Sequence, residues 1–237
     1  MPAKPYSHIP IHECGEPLAP IPKGFVRLMP HPYEQVGAPY GSTSPFWLRV
    51  GVIAALEQAQ AQLVAHGWQL AIFDAYRPVA VQQFMVDYTF GQLCRQQGLE
   101  PQQIPASLAD QLWEQVYLFW AVPNLDPQQP PPHSTGAAVD LTLVDRAGNL
   151  LDMGGDIDEL SERSYPDFYD RHPHLPQADC FSRRRQILYE VMRAAGFQRH
   201  PNEWWHFSLG DQLWVWQTQP QTGQLDIVAR YGRADLL

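Results

Sequence analysis

Two short segments of the chain carry residue types that could hold a metal ion. In the segment from Pro131 to Leu143, His133 and Asp140 lie seven positions apart around a turn of small residues. Much further along the chain, Glu203 precedes His206 by three positions. Catalytic zinc takes three ligands from the protein and keeps a fourth position open. We therefore predict that His133, Asp140 and His206 together bind one zinc ion.

The spacing of His133 and Asp140 requires the backbone to turn between them. On a straight strand, seven residues would separate the two side chains by roughly 23 Å, and the odd spacing would place them on opposite faces. A reversal can form at Ser134-Thr135-Gly136, because glycine permits positive φ and small residues let the backbone pass close to an ion. An ordinary hairpin with a surface histidine and a turn-capping aspartate fits this spacing equally well.

Glu203 is the predicted acid and base of the site. The aromatic residues that follow it favour a strand, and Pro201-Asn202 place Glu203 at the mouth of that strand, within reach of the metal site. Zinc lowers the pKa of bound water to about 7, and a nearby carboxylate can take that proton and deliver it to a leaving amine. A lone histidine such as His206 is more often a core residue bonded to a carbonyl, but its pairing with Glu203 favours the ligand interpretation.

Arg77 is the remaining candidate for chemistry. It lies at a predicted strand-to-helix junction, where its guanidinium could face the oxyanion that develops as a peptide carbonyl becomes tetrahedral. A lone arginine more commonly forms a salt bridge, here to Asp74 or another carboxylate. The wider pattern of candidate residues favours the catalytic interpretation.

The order of apolar stretches, glycines and prolines predicts an α+β fold. Predicted helices cover residues 46–66, 78–97, 107–120 and 182–195. Predicted strands lie near residues 25–28, 68–73, 138–144, 150–153, 197–199, 204–209, 213–217 and 226–231. We expect one domain over residues 1–237, with a mostly antiparallel central sheet flanked by helices and the zinc site at one edge. The proline-rich residues 1–45 should form an arm packed on it, and the irregular residues 154–179 a functional loop.

The composition narrows the class of protein and of partner. The chain has 237 residues, 45% of them hydrophobic and 17% charged, which argues against disorder. Its net charge of −9 disfavours a nucleic-acid surface, so a small molecule or peptide is the expected partner. No signal peptide or membrane-spanning run is visible, and the three dispersed cysteines fit reduced thiols. These features predict a soluble cytoplasmic protein, and they leave its oligomeric state open, a homo-oligomer included.

Three blocks of sequence resemble the D-alanyl-D-alanine dipeptidases, the VanX-type zinc enzymes of bacteria. The pattern of that family is S-x-H-x-x-G-x-A-x-D, followed by E-W-W-H and preceded by an arginine in D-x-Y-R-P. This chain has His133-Ser134-Thr135-Gly136-Ala137-Ala138-Val139-Asp140, then Glu203-Trp204-Trp205-His206, and earlier Asp74-Ala75-Tyr76-Arg77-Pro78. The resemblance extends from about Trp68 to Phe207, and the three blocks in this order are jointly specific.

The resemblance implies a role for each matching residue. It implies zinc on His133, Asp140 and His206, with Glu203 as the acid and base and Arg77 as the group that stabilises the transition state. It also implies that Asp158, in Met153-Gly154-Gly155-Asp156-Ile157-Asp158, binds the free ammonium of a dipeptide. A solvated loop carboxylate is the alternative for Asp158. The chain departs from the pattern at Pro131, where the family has a serine associated with the substrate carboxylate.

The resemblance implies a zinc-dependent dipeptidase that cleaves D-Ala-D-Ala to two D-alanines. A related D,D-carboxypeptidase or endopeptidase acting on longer peptidoglycan peptides would share the ligand pattern, but it usually needs export. A metal-binding recognition domain that has lost turnover is the third hypothesis. The presence of Glu203 and Arg77 disfavours it, because a recognition domain needs neither. The physiological role and the native metal, with iron and cobalt as alternatives to zinc, are not determined by the sequence.

Overall fold

The computed structural model describes residues 4–234 and confirms the predicted α+β class. The strands are β1 (Leu18–Pro20), β2 (Val26–Arg27), β3 (Trp47–Arg49), β4 (Trp68–Asp74), β5 (Ala138–Asp145), β6 (Gln198–Arg199) and β7 (His206–Ser208). The α-helices are α1 (Pro32–Gln35), α2 (Val50–Leu63), α3 (Val79–Gln96), α4 (Ala106–Phe119), α5 (Phe168–Arg171), α6 (Ala178–Ala194) and α7 (Gln212–Thr222). Short 3-10 helices cover Val64–His66, Pro101–Gln103, Pro132–Thr135 and Glu162–Ser164.

A five-stranded sheet in the order β2-β4-β5-β7-β6 forms the centre of the fold. Only the β2–β4 pair is parallel within this sheet, so the prediction of a mostly antiparallel sheet is confirmed. A β-bulge in β4 between Ile72 and Asp74 brings Asp74 opposite Asp140 on β5. Asp140 in turn pairs with His206 on β7. Three polar residues therefore form a row across three adjacent strands.

Side-chain alternation separates the hydrophobic core from the polar face of β5. Val139, Leu141 and Leu143 are fully buried in the main hydrophobic cluster, which also takes in the apolar residues of helices α2 and α6. Because successive side chains on a strand point to opposite faces, Asp140 lies on the other side of the sheet. The apolar packing of one face thereby fixes the register that presents Asp140 on the other.

The proline-rich N-terminal segment packs on the body of the protein. Strand β1 pairs antiparallel with β3 in a separate two-stranded sheet. Tyr6 and Ile9 are buried against Leu213 and Val215 of α7. The division into a single domain with an arm over residues 1–45 stays a prediction. Within residues 4–234, no helix has the length and apolar character required to cross a bilayer.

Helix α7 lies where the sequence predicted a strand over residues 213–217, and that prediction is wrong. The apolar residues there alternate as in a half-buried strand. However, Asp211 caps a helix, because its side chain accepts a hydrogen bond of 2.8 Å from the Trp214 amide. An aspartate at this position satisfies one of the free N–H groups of the first helical turn. The helix cap at Asp211 therefore determines the structure of this segment, rather than the alternating pattern of its apolar residues.

Other element predictions need correction at their ends or in their type. Residues 47–49 form strand β3 rather than the start of a helix, and α6 begins four residues earlier than expected, at Ala178. The predicted strands over 150–153 and 226–231 are reduced to isolated bridges, Val144 with Leu150 and Ile11 with Ala229. The other predicted helices, and the long strands β4 and β5, are confirmed to within a few residues.

Gly136 joins the turn that carries His133 to strand β5, and its replacement tests how rigid this junction is. Its φ of +68° is left-handed, and an added Cβ would lie 2.2 Å from Leu18 Cδ2. We expect Gly136→Ala to lower the free energy of unfolding by about 2–4 kcal/mol, from backbone strain and overpacking. Gly148→Ala is the control in urea denaturation, because Gly148 has φ +84° and open space around it. Equal losses in the two variants would contradict tight packing at Gly136.

Candidate metal centre

The fold brings His133, Asp140 and His206 together on the polar face of the sheet. His133 lies in the 3-10 helix Pro132–Thr135, which Gly136 ends in a left-handed conformation before β5 begins. Asp140 and His206 are cross-strand partners on β5 and β7. The backbone thus turns at the predicted point between His133 and Asp140. The three residues lie on or beside interior strands, so the expectation of a site at one edge of the sheet is not met.

The distances between the candidate ligand atoms fit a single small ion. His133 Nε2 lies 3.1 Å from Asp140 Oδ2, and His206 Nδ1 lies 3.0 Å from Asp140 Oδ1. The two imidazole nitrogens are 3.1 Å apart. Ligand atoms about 2.0–2.2 Å from a tetrahedral zinc lie roughly 3.3 Å from one another. A zinc ion therefore fits between these three side chains with little adjustment.

Hydrogen bonds on the far side of each imidazole direct a lone pair towards the centre. His133 Nδ1 lies 2.7 Å from the Ala75 carbonyl oxygen, which can only accept, so Nδ1 carries the proton and Nε2 is free. His206 Nε2 lies 3.3 Å from Ser208 Oγ, and that hydroxyl donates to Asp211 Oδ2 at 2.9 Å. Such outer hydrogen bonds fix the tautomer and orientation of metal-binding histidines.

Asp140 shows the unsatisfied polar atom expected of a metal ligand. Its Oδ1 is buried and has no hydrogen-bond donor in good geometry among residues 4–234, although His206 Nδ1 is close. Burial raises the pKa of a carboxyl, but the closeness of the His133 and His206 imidazoles outweighs this and holds the pKa of Asp140 well below its usual value. Asp140 is therefore ionised, as zinc binding requires.

Glu203 lies beside this cluster without belonging to it. It precedes β7, and its carboxylate is 3.7 Å from His206 Nδ1 and 3.6 Å from His200 Nδ1. Burial raises the pKa of Glu203 to about 8, with the negative charges of Asp140 and Asp158 adding to the effect. The positive charge of a metal ion acts in the opposite direction. Both the protonated and the ionised form of the Glu203 carboxyl group are therefore accessible near neutral pH.

Arg77 forms the salt bridge that the sequence offered as the alternative to a catalytic role, and it does so beside the candidate metal ligands. Its Nη2 lies 2.8 Å from Asp74 Oδ2, the predicted salt bridge, and 3.2 Å from Asp140 Oδ2. Nη2 also donates to the Tyr33 hydroxyl at 3.1 Å. Asp74 is in turn held by His31, whose Nε2 is 3.2 Å from Asp74 Oδ1. The guanidinium is therefore fixed in place beside the metal cluster.

Asp158 lines a cavity together with Arg77 and the three candidate metal ligands. It accepts a hydrogen bond of 2.7 Å from the Tyr33 hydroxyl. Its backbone has φ +65°, an uncommon conformation for a residue with a side chain, which is often found at functional sites. Burial raises the pKa of Asp158 to about 7, and the charge of Asp140 contributes in the same direction. A cationic partner would restore the ionised form.

All six predicted site residues line one small cavity. Sequence reasoning missed the residues that orient the site from outside it, Tyr33, Ser208 and Asp211. It also missed His200 and Tyr6 in the cavity wall. Ser208 could have been identified from the sequence, because it lies two residues after His206 and therefore on the same face of the strand.

Comparison with known proteins identifies the family. The sequence profile of the D-Ala-D-Ala dipeptidases matches residues 27–224. The chain belongs to the D-Ala-D-Ala dipeptidase family. A D-alanyl-D-alanine dipeptidase of Synechocystis sp. is 50% identical over 99% of this chain and 98% of its own length. A dipeptidase of the same name from Escherichia coli is 34% identical over 68% of this chain and 66% of its own length.

Among solved structures, an LdcB LD-carboxypeptidase superposes with a TM-score of 0.46 and 17% sequence identity, over 88% of this chain and 75% of that chain. Membership of the dipeptidase family confirms the predicted resemblance and the predicted class of enzyme, a metallopeptidase. Together with the His133–Asp140–His206 cluster, it also confirms the predicted zinc cofactor.

Asp211 provides a test of the outer hydrogen bonds, because its carboxylate anchors the Ser208–His206 pair. We expect Asp211→Asn to weaken zinc binding about 10- to 100-fold in competition with a chromogenic chelator. Asparagine also caps helices well, so α7 should keep its first turn. The control is Asp226→Asn, at an exposed aspartate. Zinc affinity equal to wild type in Asp211→Asn would contradict this role.

Proposed function

We propose that the protein is a zinc-dependent dipeptidase that hydrolyses D-Ala-D-Ala to two molecules of D-alanine. The observation that carries this proposal is the meeting of three features in one small cavity: the His133–Asp140–His206 cluster, the Glu203 carboxyl and the Asp158 carboxylate. The cluster would bind the metal. The Glu203 carboxyl group would transfer protons, and the Asp158 carboxylate would bind the free amino end of a dipeptide. Family membership supports the choice of substrate.

Glu203 moves the protons in this proposal. Bound zinc polarises a carbonyl and makes water a nucleophile at neutral pH. The buried Glu203 carboxylate takes a proton from the attacking water and then, as the carboxylic acid, gives it to the amine of the departing D-alanine. Burial raises its pKa to about 8 and the charge of a bound zinc ion would lower it again, which supports proton transfer in both directions near neutral pH. Its position outside the ligand cluster leaves both oxygens available for this role.

Arg77 stabilises negative charge on the peptide oxygen in this proposal. Burial lowers the pKa of its guanidinium, but Tyr33, Asp74 and Asp140 outweigh burial and raise it, so the group stays cationic. Its contact with Asp140 supports this role, because a peptide carbonyl beside the metal ligands would lie within its reach. A fixed cation in a site that excludes water stabilises a developing oxyanion more strongly than one in solution.

Asp158 binds the ammonium group of the substrate in this proposal. Its carboxylate faces the cavity and is oriented by Tyr33. A buried carboxylate with a raised pKa gains free energy from a cationic partner, and a free amino terminus is such a partner. A peptide extended at its amino end has no ammonium at this point. The contact thereby restricts the substrate to peptides that are cleaved after their first residue.

The compartment, the domain organisation and the oligomeric state of the enzyme are also proposed here. We expect it to act in the cytoplasm on free dipeptide, as one domain over residues 1–237 with residues 1–45 packed on it, alone or as a homo-oligomer. The net charge of −9 supports a small zwitterionic substrate rather than a nucleic acid or a membrane surface.

The activity is tested with D-Ala-D-Ala and L-Ala-L-Ala as paired substrates. We expect release of alanine from the D,D dipeptide only, its loss on dialysis against a zinc chelator, and its return when zinc is added. Glu203→Gln should keep its zinc and lose about 10²- to 10⁴-fold in kcat, because it removes the group that transfers protons. Zinc content by atomic absorption is the control. A Glu203→Gln variant as active as wild type would contradict the assigned role.

Asp158→Asn tests recognition of the ammonium. It removes the negative charge but keeps the size of the side chain, so KM for D-Ala-D-Ala should rise about 10- to 100-fold. The matched control is Asp156→Asn, at an exposed aspartate in the same loop. Steady-state kinetics at pH 8 measure both. Equal KM values for Asp158→Asn and Asp156→Asn would contradict the assignment.

A further inference from the structure

The wall of the cavity beside Glu203 holds hydrogen-bond donors that the proposed mechanism does not use. Glu203 protonates the leaving nitrogen, and in a dipeptide this nitrogen is joined through one Cα to the terminal carboxylate. From the backbone bond lengths, the carboxyl carbon lies only about 2.5 Å from that nitrogen. The substrate carboxylate therefore has to lie close to Glu203, where a negative charge needs a counter-charge. The donors in this wall are the groups available to it.

Tyr6 contributes a hydroxyl to this part of the wall. Its side chain is 5% exposed and lines the cavity, and its ring contacts Trp216 on α7. The hydroxyl makes no hydrogen bond to any residue within 4–234. Tyr6 lines the same cavity as Glu203. Burial raises the pKa of Tyr6, and the charges of Asp211 and Glu203 raise it further, so its hydroxyl is a protonated donor.

His200 contributes a second free donor. The Asn202 amide donates to His200 Nδ1 at 3.2 Å, so in the neutral ring the proton is on Nε2. Nε2 makes no hydrogen bond within residues 4–234, and the ring lines the cavity that also contains Glu203. A protonated nitrogen without a partner in a cavity wall is suited to an anionic group.

Lys4 contributes positive charge. Its ammonium donates to the Tyr117 carbonyl at 2.7 Å, at the end of α4 next to the cavity wall. An ammonium has three donors, so two remain for another partner. Burial lowers the pKa of Lys4 while the Glu203 charge raises it, and the Lys4 charge in turn lowers the pKa of His200. The hydrogen bond to Tyr117 holds Lys4 at a point two residues before Phe119, which lines the cavity.

We infer that the carboxylate of the dipeptide binds in this corner, accepting hydrogen bonds from the Tyr6 hydroxyl and His200 Nε2 with the Lys4 ammonium as counter-charge. This inference rests on the proposed function, and it adds the second end of the substrate. Asp158 would bind the amino terminus of the dipeptide. Lys4, Tyr6 and His200 would bind its carboxyl terminus. A peptide extended at either end lacks one of the two charges, so both contacts together select a dipeptide.

The N-terminal segment is held firmly enough for this role. Backbone hydrogen bonds join Ser7 to Lys4 and Ile9 to Tyr6, and both form compact turns. Tyr6 and Ile9 pack on Leu213 and Val215 of α7. Tyr6 therefore belongs to a folded part of the cavity wall, and Lys4 is fixed two residues before it, in a segment remote in sequence from the metal ligands.

The test compares D-Ala-D-Ala with its C-terminal amide on the zinc-loaded enzyme. The ratio of kcat/KM for the acid to that for the amide measures recognition of the carboxylate and is independent of the fraction of active protein. We expect wild type to favour the acid and Lys4→Met to lower this ratio about 10- to 100-fold, through a higher KM for the acid. Tyr6→Phe should lower it about 3- to 10-fold. Lys4→Arg should recover much of the preference.

Lys23→Met is the matched control, because Lys23 is the only other lysine of the chain and is exposed. An unchanged ratio in both Lys4→Met and Tyr6→Phe, with wild type active, would overturn this inference and leave the proposed function intact. A wild-type ratio near one would overturn it as well. If Lys4→Met does not fold, Tyr6→Phe and the wild-type ratio still decide. Absence of any D-Ala-D-Ala hydrolysis by wild type would instead refute the proposed function, and this inference with it.

Discussion

The buried carboxylate of Asp140 is the constraint on which the site depends. It is 2% exposed and in contact with two imidazoles and a guanidinium, of which only the His133 imidazole lies near it in sequence. A buried charge is tolerated only when it is paired or bound to a metal, so the surrounding elements must deliver those partners. The pairing of β5 with β7 delivers His206, and the turn before β5 delivers His133. The apolar face of β5 holds this register from the opposite side of the sheet.

The residues with direct chemical roles could be predicted from the sequence because their types and local order carry the information. His133 and Asp140 flank a turn that needs a glycine, and Glu203 and His206 flank the start of a strand. A shift of one residue in a strand would move every side chain to the other face, so the apolar residues around Asp140 also fix its direction. The long strands and helices could be predicted for the same reason, since each has a clear pattern of apolar residues.

The supporting residues could not be predicted, because their positions are set by packing between distant segments. Tyr33 reaches Asp158 across 125 positions of sequence, and no local pattern links them. Tyr6 reaches the cavity only because the N-terminal segment packs on α7. The error at α7 has a local cause, since the alternating apolar residues concealed the capping role of Asp211. A three-residue strand such as β7 is too short for its ends to be fixed by pattern alone.

Anomalous X-ray diffraction at the zinc absorption edge, on crystals of the active enzyme, tests the central claim most directly. The account predicts a single strong peak about 2.0–2.2 Å from His133 Nε2, a carboxylate oxygen of Asp140 and His206 Nδ1. Glu203 should lie close to the peak but outside ligand distance. A peak elsewhere in the molecule, a zinc ion bound directly by Glu203, or an active enzyme without zinc at this position would contradict the account.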